Sequence, residues 1–222
     1  MGAKTWMLVY AEIDARDALR AQPTLDRTAT AQLAAKLFPQ DRLTQIEDGS
    51  LDFTSPPDDI LAIGCFAGVS VIAAKEFGLD HPTRLSRRFV KHGANGKIIL
   101  HAMHSVVDWF AYALWDKGTL IRSLSLAPDY GYIENIGEPL AFEKPYWEGK
   151  HPAFDPEEDP SAYPFPFHPL ELGEAALRAC FGYILEGTYE PTDIDTTSIP
   201  LMRFQRHKRI PWWKFWNHQN LS

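Results

Sequence analysis

Apolar and polar positions alternate most densely between Lys97 and Glu143, and this stretch predicts the centre of the fold. It predicts four strands, at 98–105, 109–115, 119–126 and 132–136. Turn sequences such as Asp116-Lys117-Gly118 separate them. Connections this short join antiparallel neighbours, because a parallel pair needs a long crossover. The stretch therefore predicts an antiparallel meander.

The predicted strand at 109–115 is apolar on both of its faces. One face carries Trp109, Ala111, Ala113 and Trp115, and the other carries Phe110, Tyr112 and Leu114. Because side chains alternate across a strand, this pattern predicts a central strand that is covered on both sides. In the next strand the same alternation places Leu120 on one face with Leu124 and Leu126.

Shorter elements flank the meander. The pattern predicts an internal strand at 5–11, helices at 14–20 and 26–38, and a hairpin at 60–66 and 69–75. The clearest predicted helix begins at Pro169 and ends at Gly187. These elements predict an α+β fold in which a central antiparallel sheet is packed by helices.

The segment from Lys144 to Pro169 interrupts this pattern. It contains seven prolines, an acidic cluster and several aromatic residues. Proline at this density predicts neither a helix nor a central strand, and the aromatic side chains predict packing along the domain surface. We therefore expect one α+β domain at 1–204, with a proline-rich surface loop at 144–168, followed by a tail at 205–222.

Composition and charge place the chain among ordinary globular proteins. The apolar fraction is 45% and the net charge is −7, but Arg203, Arg206, Lys208, Arg209 and Lys214 follow the last acidic residue. These five give the end of the chain +5 and leave −12 on the rest. The acidic body argues against binding of duplex nucleic acid. The sequence has neither a signal peptide nor a run that spans a bilayer, and its two cysteines have no metal-type spacing, so a cytoplasmic protein is expected.

Two histidines and a carboxylate provide the first candidate site. On a strand, His101 and His104 point to opposite faces; on a helix they would share one and could bind a metal. Asp108 lies four residues after His104, and a bulge would be needed to join them. The sequence therefore predicts no metal site and no cofactor, with one buried and one exposed histidine.

Other candidate ligand-binding residues lie nearby in the sheet region. They are Trp109, Arg122, Glu134 and Glu138. An arginine beside carboxylates usually forms a structural ion pair, and the alternative is a clamp for a ligand carboxylate.

The tail combines basic and aromatic residues around Trp212, Trp213 and Trp216. Such segments suit a membrane interface or single-stranded nucleic acid. The tryptophans could equally cover the domain itself or form an oligomer contact, since exposed tryptophan clusters are rare.

Several segments resemble a family of uncharacterised bacterial proteins, found mainly in actinobacteria. The matching segments are KTWMLVYA from Lys4, HAMHSVVDWFAYA from His101, ENIGEP from Glu134 and FHPLEL from Phe167. The resemblance covers residues 1–204. It implies one intact domain and carries no activity or site residue with it.

Two functions remain open from the sequence. The favoured one is a non-catalytic domain that binds a small molecule or a partner protein. The alternative is a hydrolase-type enzyme that uses His104 and Asp108 with a nearby carboxylate or hydroxyl, such as Ser105. No nucleophile elbow, zinc motif or phosphate loop supports the enzyme.

Overall fold

The computed structural model describes residues 2–153 and 164–208 of this chain. Ten strands form an antiparallel sheet in the order β2-β10-β4-β5-β1-β6-β7-β8-β9, and β3 pairs with β10 beside this path. The strands are β1 (Lys4–Ala11), β2 (Asp41–Gln45), β3 (Gly49–Ser50), β4 (Ile60–Phe66), β5 (Val69–Ala73), β6 (Lys97–His104), β7 (Trp109–Asp116), β8 (Thr119–Ala127), β9 (Gly131–Ile136) and β10 (Pro200–Lys208). The α+β fold with a central antiparallel sheet is confirmed.

Helices cover both faces of the sheet. They are α1 (Ala15–Arg20), α2 (Arg27–Leu37), α3 (Arg87–His92), α4 (Lys144–Trp147) and α5 (Pro169–Phe181). Helices α1, α4 and α5 pack on one side, called here the α5 face, and α2 and α3 pack on the other, the α2 face. Leu172 and Phe181 anchor α5 and are fully buried. Each such side chain contributes about 1.5–3 kcal/mol of hydrophobic stabilisation.

The predicted meander is present as β6 to β9, and β1 lies inside the sheet between β5 and β6. Strand β7 is covered on both sides as predicted, with Trp109 and Trp115 on the α2 face and Phe110 and Tyr112 on the α5 face. The side chains of Asp14 and Asp26 cap α1 and α2 by accepting from backbone N–H groups. Local alternation and capping residues therefore identify these elements correctly.

The predicted facing of Leu120 is wrong. Strands β7 and β8 pair Leu114 with Arg122 but Trp115 with Leu120, so Ile121 is an extra residue in β8. A bulge of this kind reverses the facing of every residue before it. Leu120 therefore packs on the α2 face, whereas Leu124 and Leu126 lie on the α5 face.

Two predicted boundaries also differ from the structure. Helix α5 ends at Gly182, before Gly187, because Gly182 adopts a left-handed conformation (φ +81°) and donates to the carbonyls of Leu177 and Arg178. The segment predicted to contain no helix begins with the four-residue helix α4. Pro145 is tolerated there because it lies in the first turn, where its missing N–H has no intrahelical partner.

Three aromatic side chains of the proline-rich segment pack on the sheet. Trp147, Phe165 and Phe167 contact the core on the α5 face. Strand β10 continues past Phe204 to Lys208 and crosses the predicted start of the tail. Among the helices at 2–153 and 164–208, none has the length and apolar character that crossing a membrane requires.

Candidate functional site

A cleft of about 510 Å³ opens on the α2 face, at one end of the sheet. Antiparallel pairing creates it: Lys4 at the start of β1 lies opposite His104 at the end of β6, and Trp109 begins the neighbouring β7. The side chains that define its chemistry are Trp6, Lys75, His81, His104, Trp109 and Tyr130. We call this site the Trp6 cleft.

The floor of the cleft is a cluster of three rings. The imidazole of His104 stacks on the Trp6 indole at 5.8 Å between centroids, and the Trp109 indole lies 6.1 Å from Trp6. Trp109 donates from Nε1 to the Ser125 hydroxyl at 3.2 Å. Gly78 passes so close to Trp6 that a Cβ there would lie 2.9 Å from the indole. The floor is therefore held rigidly from beneath and from one side.

Two lysines carry positive charge onto this floor. The ammonium groups of Lys75 and Lys4 lie 4.1 Å and 5.6 Å from the Trp6 ring centroid. Partial burial lowers the pKa of His104, and the charges of Lys4 and Lys75 lower it further. The two ammonium groups therefore favour the neutral imidazole over the imidazolium form. Its Nδ1 is buried and has no hydrogen-bond partner among the described residues.

Glu134 supports one wall of the cleft from behind. Its carboxylate accepts from the Thr83 amide at 3.1 Å, from the Thr83 hydroxyl at 2.6 Å and from the Ser123 hydroxyl. It also lies 3.6 Å from Nδ1 of His81, which lines the cleft. Glu134 therefore fixes the turn at 81–84 to the sheet and acts as a positioning residue.

His101 lies on the other side of the sheet from His104, as the strand period predicts. It is buried on the α5 face, with Nδ1 2.7 Å from the Thr5 hydroxyl and Nε2 3.0 Å from the Gly173 carbonyl of α5. Burial lowers the pKa of His101 to about 4, so it remains neutral at physiological pH. His101 joins α5 to the sheet and is separated from the cleft.

Asp108 is not brought to His104. The turn Ser105–Val107 ends at Asp108, which adopts a left-handed conformation (φ +45°). Its carboxylate lies 3.7 Å from Nε2 of His168, which caps the start of α5 through Nδ1. Asp108 therefore points towards the α5 face while His104 points towards the α2 face.

Arg122 forms a structural ion pair, and its partner is Glu143 rather than Glu134 or Glu138. Both side chains are fully buried, and their shortest contact is 2.7 Å. Nη1 of Arg122 donates to Asn135 and to the carbonyls at 136 and 137. Glu143 also accepts from Tyr112, Trp147 and the Leu140 amide. This network is satisfied internally and leaves no group for a ligand.

The remaining predicted site residues do not join the cleft. Glu138 is exposed beyond the end of β9. Trp212, Trp213 and Trp216 lie outside the described residues. Within 2–153 and 164–208, no group of three or more His, Cys, Asp or Glu side chains is placed to hold a metal ion.

A second cavity, of about 560 Å³, lies against the outer side of α5. Its most unusual group is Glu174, which accepts from the amides of Leu185 at 2.8 Å and Glu186 at 3.1 Å. Burial raises the pKa of Glu174 to about 7, although both hydrogen bonds oppose this shift. The carboxylate ties the loop after α5 back to the helix.

Sequence reasoning identified only two residues of the cleft, His104 and Trp109. It missed Trp6, Lys75, His81 and Tyr130, which come from separate parts of the chain. The available signal was long-range: once β1 and β6 are paired, Trp6 and His104 lie on the same face near one end. The pattern within a short sequence segment does not predict that pairing.

Comparisons with known proteins agree with the resemblance noted in the sequence. A family model described as a family of unknown function, DUF6928, matches residues 5–204. Curated proteins and solved structures each gave no match. The matched region contains every residue that lines the Trp6 cleft. The chain therefore belongs to the family of unknown function DUF6928.

Proposed function

We propose that this protein is a non-catalytic binding domain whose ligand occupies the Trp6 cleft. The supporting observation is that the cleft combines an aromatic floor with the ammonium group of Lys75, which lies over the Trp6 ring, and the imidazole of His104, which stacks on that ring. Val107 and Tyr130 at its edge are 52% and 79% exposed. Ligand sites typically combine such apolar walls with a few polar groups that fix orientation.

The enzyme alternative has weaker support. General acid–base catalysis needs the histidine within hydrogen-bond reach of its carboxylate or hydroxyl partner. His104 and Asp108 point to opposite faces of the sheet, and Asp108 pairs with His168. In the described part of the chain, His104 has no hydrogen bond to a carboxylate or hydroxyl.

Fluorine NMR of the protein labelled with 5-fluorotryptophan tests this function. A fragment library of mixed charge is added, and single Trp-to-Phe variants assign the resonances. We expect at least one fragment to shift the fluorine resonances of Trp6 and Trp109 while leaving the resonance of Trp147, on the α5 face, unchanged. A library that shifts neither cleft resonance contradicts the binding proposal. Conversion of a bound fragment into product, followed over hours, contradicts its non-catalytic part.

We also propose a bacterial cytoplasmic setting. Cys65 and Cys180 are free thiols, which are usual in compartments where glutathione keeps thiols reduced. The bacterial source rests on the resemblance alone. Fractionation of a producing bacterial cell checks the setting, because recovery of the protein mainly in the membrane or secreted fraction contradicts it.

The tail remains a proposed contact with a membrane surface or with another copy of the chain. Full-length protein and a chain ending at residue 208 can be compared by co-sedimentation with anionic liposomes and by light scattering. Loss of pelleting in the shorter chain supports the membrane contact, and loss of a dimer supports the oligomer contact. Equal behaviour of the two chains contradicts both.

A further inference from the structure

We propose that the ligand of the Trp6 cleft is a small, planar organic anion, an inference that rests on the proposed binding function. Its anionic group, a carboxylate or a phosphate, lies beside Lys75 and His104. Its planar apolar part lies towards Val107 and Tyr130 at the open edge. Charge, available donors and apolar exposure each support this assignment.

The charges that act on His104 favour an anion. Lys4 on β1 and Lys75 after β5 are the charged side chains that lower its pKa. Asp80 and Asp129 also line the cleft, but neither contributes to the pKa of His104. An anion placed beside the Lys75 ammonium group and His104 is attracted by that charge, whereas a cation placed there is repelled.

Lys75, which lines the cleft, is available to a ligand. In the described part of the chain it forms no ion pair, and its ammonium group lies over the face of Trp6. An ammonium group has three N–H donors, and an indole face occupies only one side of it. Lys75 can therefore donate a charge-assisted hydrogen bond to a carboxylate or phosphate oxygen without breaking an existing pair.

His104 couples this binding to a proton. An anion beside the ring favours the imidazolium form and raises the pKa of His104 from its lowered value. Affinity for the anion should therefore increase as the pH falls from 7.5 to 5.5. The other titratable side chains facing this region are Lys75, Asp80, His81, Asp129 and Tyr130. Lys4 also acts on His104, and Glu134 lies behind His81.

The apolar surfaces of the cleft suit a flat ligand. Trp6 and Trp109 form the floor, and Ala127 and Ile133 line it further out. Tyr130 and Val107 leave large apolar surfaces exposed at the edge. A planar ring can cover these surfaces at little entropic cost, because aromatic contacts bury much area with few rotatable bonds.

Calorimetry with four matched probes tests the ligand class. The probes are 1-naphthoate, neutral 1-naphthamide, cationic 1-naphthylmethylamine and acetate. We expect 1-naphthoate to bind at least tenfold more tightly than each of the other three. The naphthamide and the amine lack the negative charge, and acetate lacks the planar part. Tighter binding of the amine or the amide overturns the proposal.

Three variants locate the anion. Lys75→Met keeps the aliphatic stem and removes the charge, and we expect it to weaken 1-naphthoate about tenfold, the equivalent of about 1.4 kcal/mol. Lys91→Met, on the exposed side of α3, is the matched control and should not change the affinity. His104→Gln should remove the increase in affinity at pH 5.5. Equal affinities for the two lysine variants contradict the placement of the anion.

The two proposals fail in different ways. If no fragment shifts the Trp6 and Trp109 resonances, the binding function fails and this inference fails with it. If fragments bind in the cleft but prefer positive or neutral charge, the binding function stands and only the anion is excluded. Phenyl phosphate and benzoate, added as a fifth and a sixth probe, distinguish a phosphate ligand from a carboxylate.

Discussion

Arg122 and Glu143 are fully buried, and each neutralises the charge of the other. Replacing one member leaves a buried charge without its partner, which typically costs about 3–5 kcal/mol. We therefore expect Arg122→Met to lower the free energy of unfolding by about that amount in urea titrations. Lys150→Met is the matched control, since Lys150 and Glu148 also lie 2.7 Å apart but are exposed.

The double variant Arg122→Met with Glu143→Leu separates pairing from packing. Removing both charges together should recover part of the loss, because replacing a buried ion pair by apolar residues is often neutral. A single Arg122→Met variant as stable as Lys150→Met would show that the pair is solvated, contrary to its burial.

The titration of His101 makes the free energy of unfolding depend on pH. Its pKa is about 4 in the folded protein and about 6.5 when unfolded, so the unfolded chain binds more protons between these values. Neutral His101 therefore contributes about 3 kcal/mol to the free energy of unfolding above pH 6.5, and this contribution is lost as the pH falls towards 4. His101→Gln should remove this loss. Urea unfolding from pH 4 to 7 checks it, and parallel curves for the two proteins contradict it.

Single residues show where sequence reasoning was sufficient. The facing of His101 and His104 follows from the strand period, and the caps Asp14 and Asp26 follow from residue type and position. The partner of Arg122 could not be predicted in this way. Glu143 lies 21 residues further along, at the edge of the proline-rich segment, and only the packing of that segment against the sheet brings it to Arg122.

At the level of elements, α5 and its following loop depend on Glu174. This carboxyl has a pKa of about 7 when folded, raised chiefly by burial from about 4.5, so the folded protein binds more protons between these values. The contribution of protonated Glu174 to the free energy of unfolding is complete below pH 4.5 and is lost as the pH rises through 7. This dependence has the opposite sign to that of His101.

Comparing the wild type with Glu174→Gln isolates this contribution. The amide removes the titration, so the stability advantage of the wild type should shrink as the pH rises from 4.5 to 7.5. Glu171→Gln, one turn earlier on the exposed side of α5, is the control. An advantage that is constant or grows with pH would exclude Glu174 as the titrating group.

Strands and helices could be predicted where they depend on the local hydrophobic pattern. The Trp6 cleft could not be predicted in this way. Strand β7 and the meander follow from alternation within about ten residues. The bulge at Ile121 is invisible in that pattern, because an extra residue changes facing without changing hydrophobicity. The Trp6 cleft depends on β1 reaching β6, nearly 100 residues away in the chain, and on the turn that Glu134 holds.

At the scale of the whole molecule, β10 extends beyond the region that the family model matches. The family match and the predicted domain both stop at residue 204, yet β10 pairs with β2 from Phe204 to Lys208. Within this extension, Arg206 is buried and bonds to Asp41 at 2.7 Å and to Glu76 at 2.5 Å. It ties β10 to β2 and to the turn after β5.

A chain ending at Phe204 should therefore be less stable than one ending at Lys208, by about 1.5–3 kcal/mol in urea unfolding, because it loses the charge-assisted hydrogen bonds of Arg206 and the pairing of β10 with β2 beyond Phe204. Arg206→Met in the longer chain measures the ion pairs alone, and the difference between this variant and the shorter chain gives the contribution of strand pairing. Equal midpoints for the two truncated chains would place the true boundary at 204. A lower midpoint for the shorter chain makes the last four residues of β10 part of the domain.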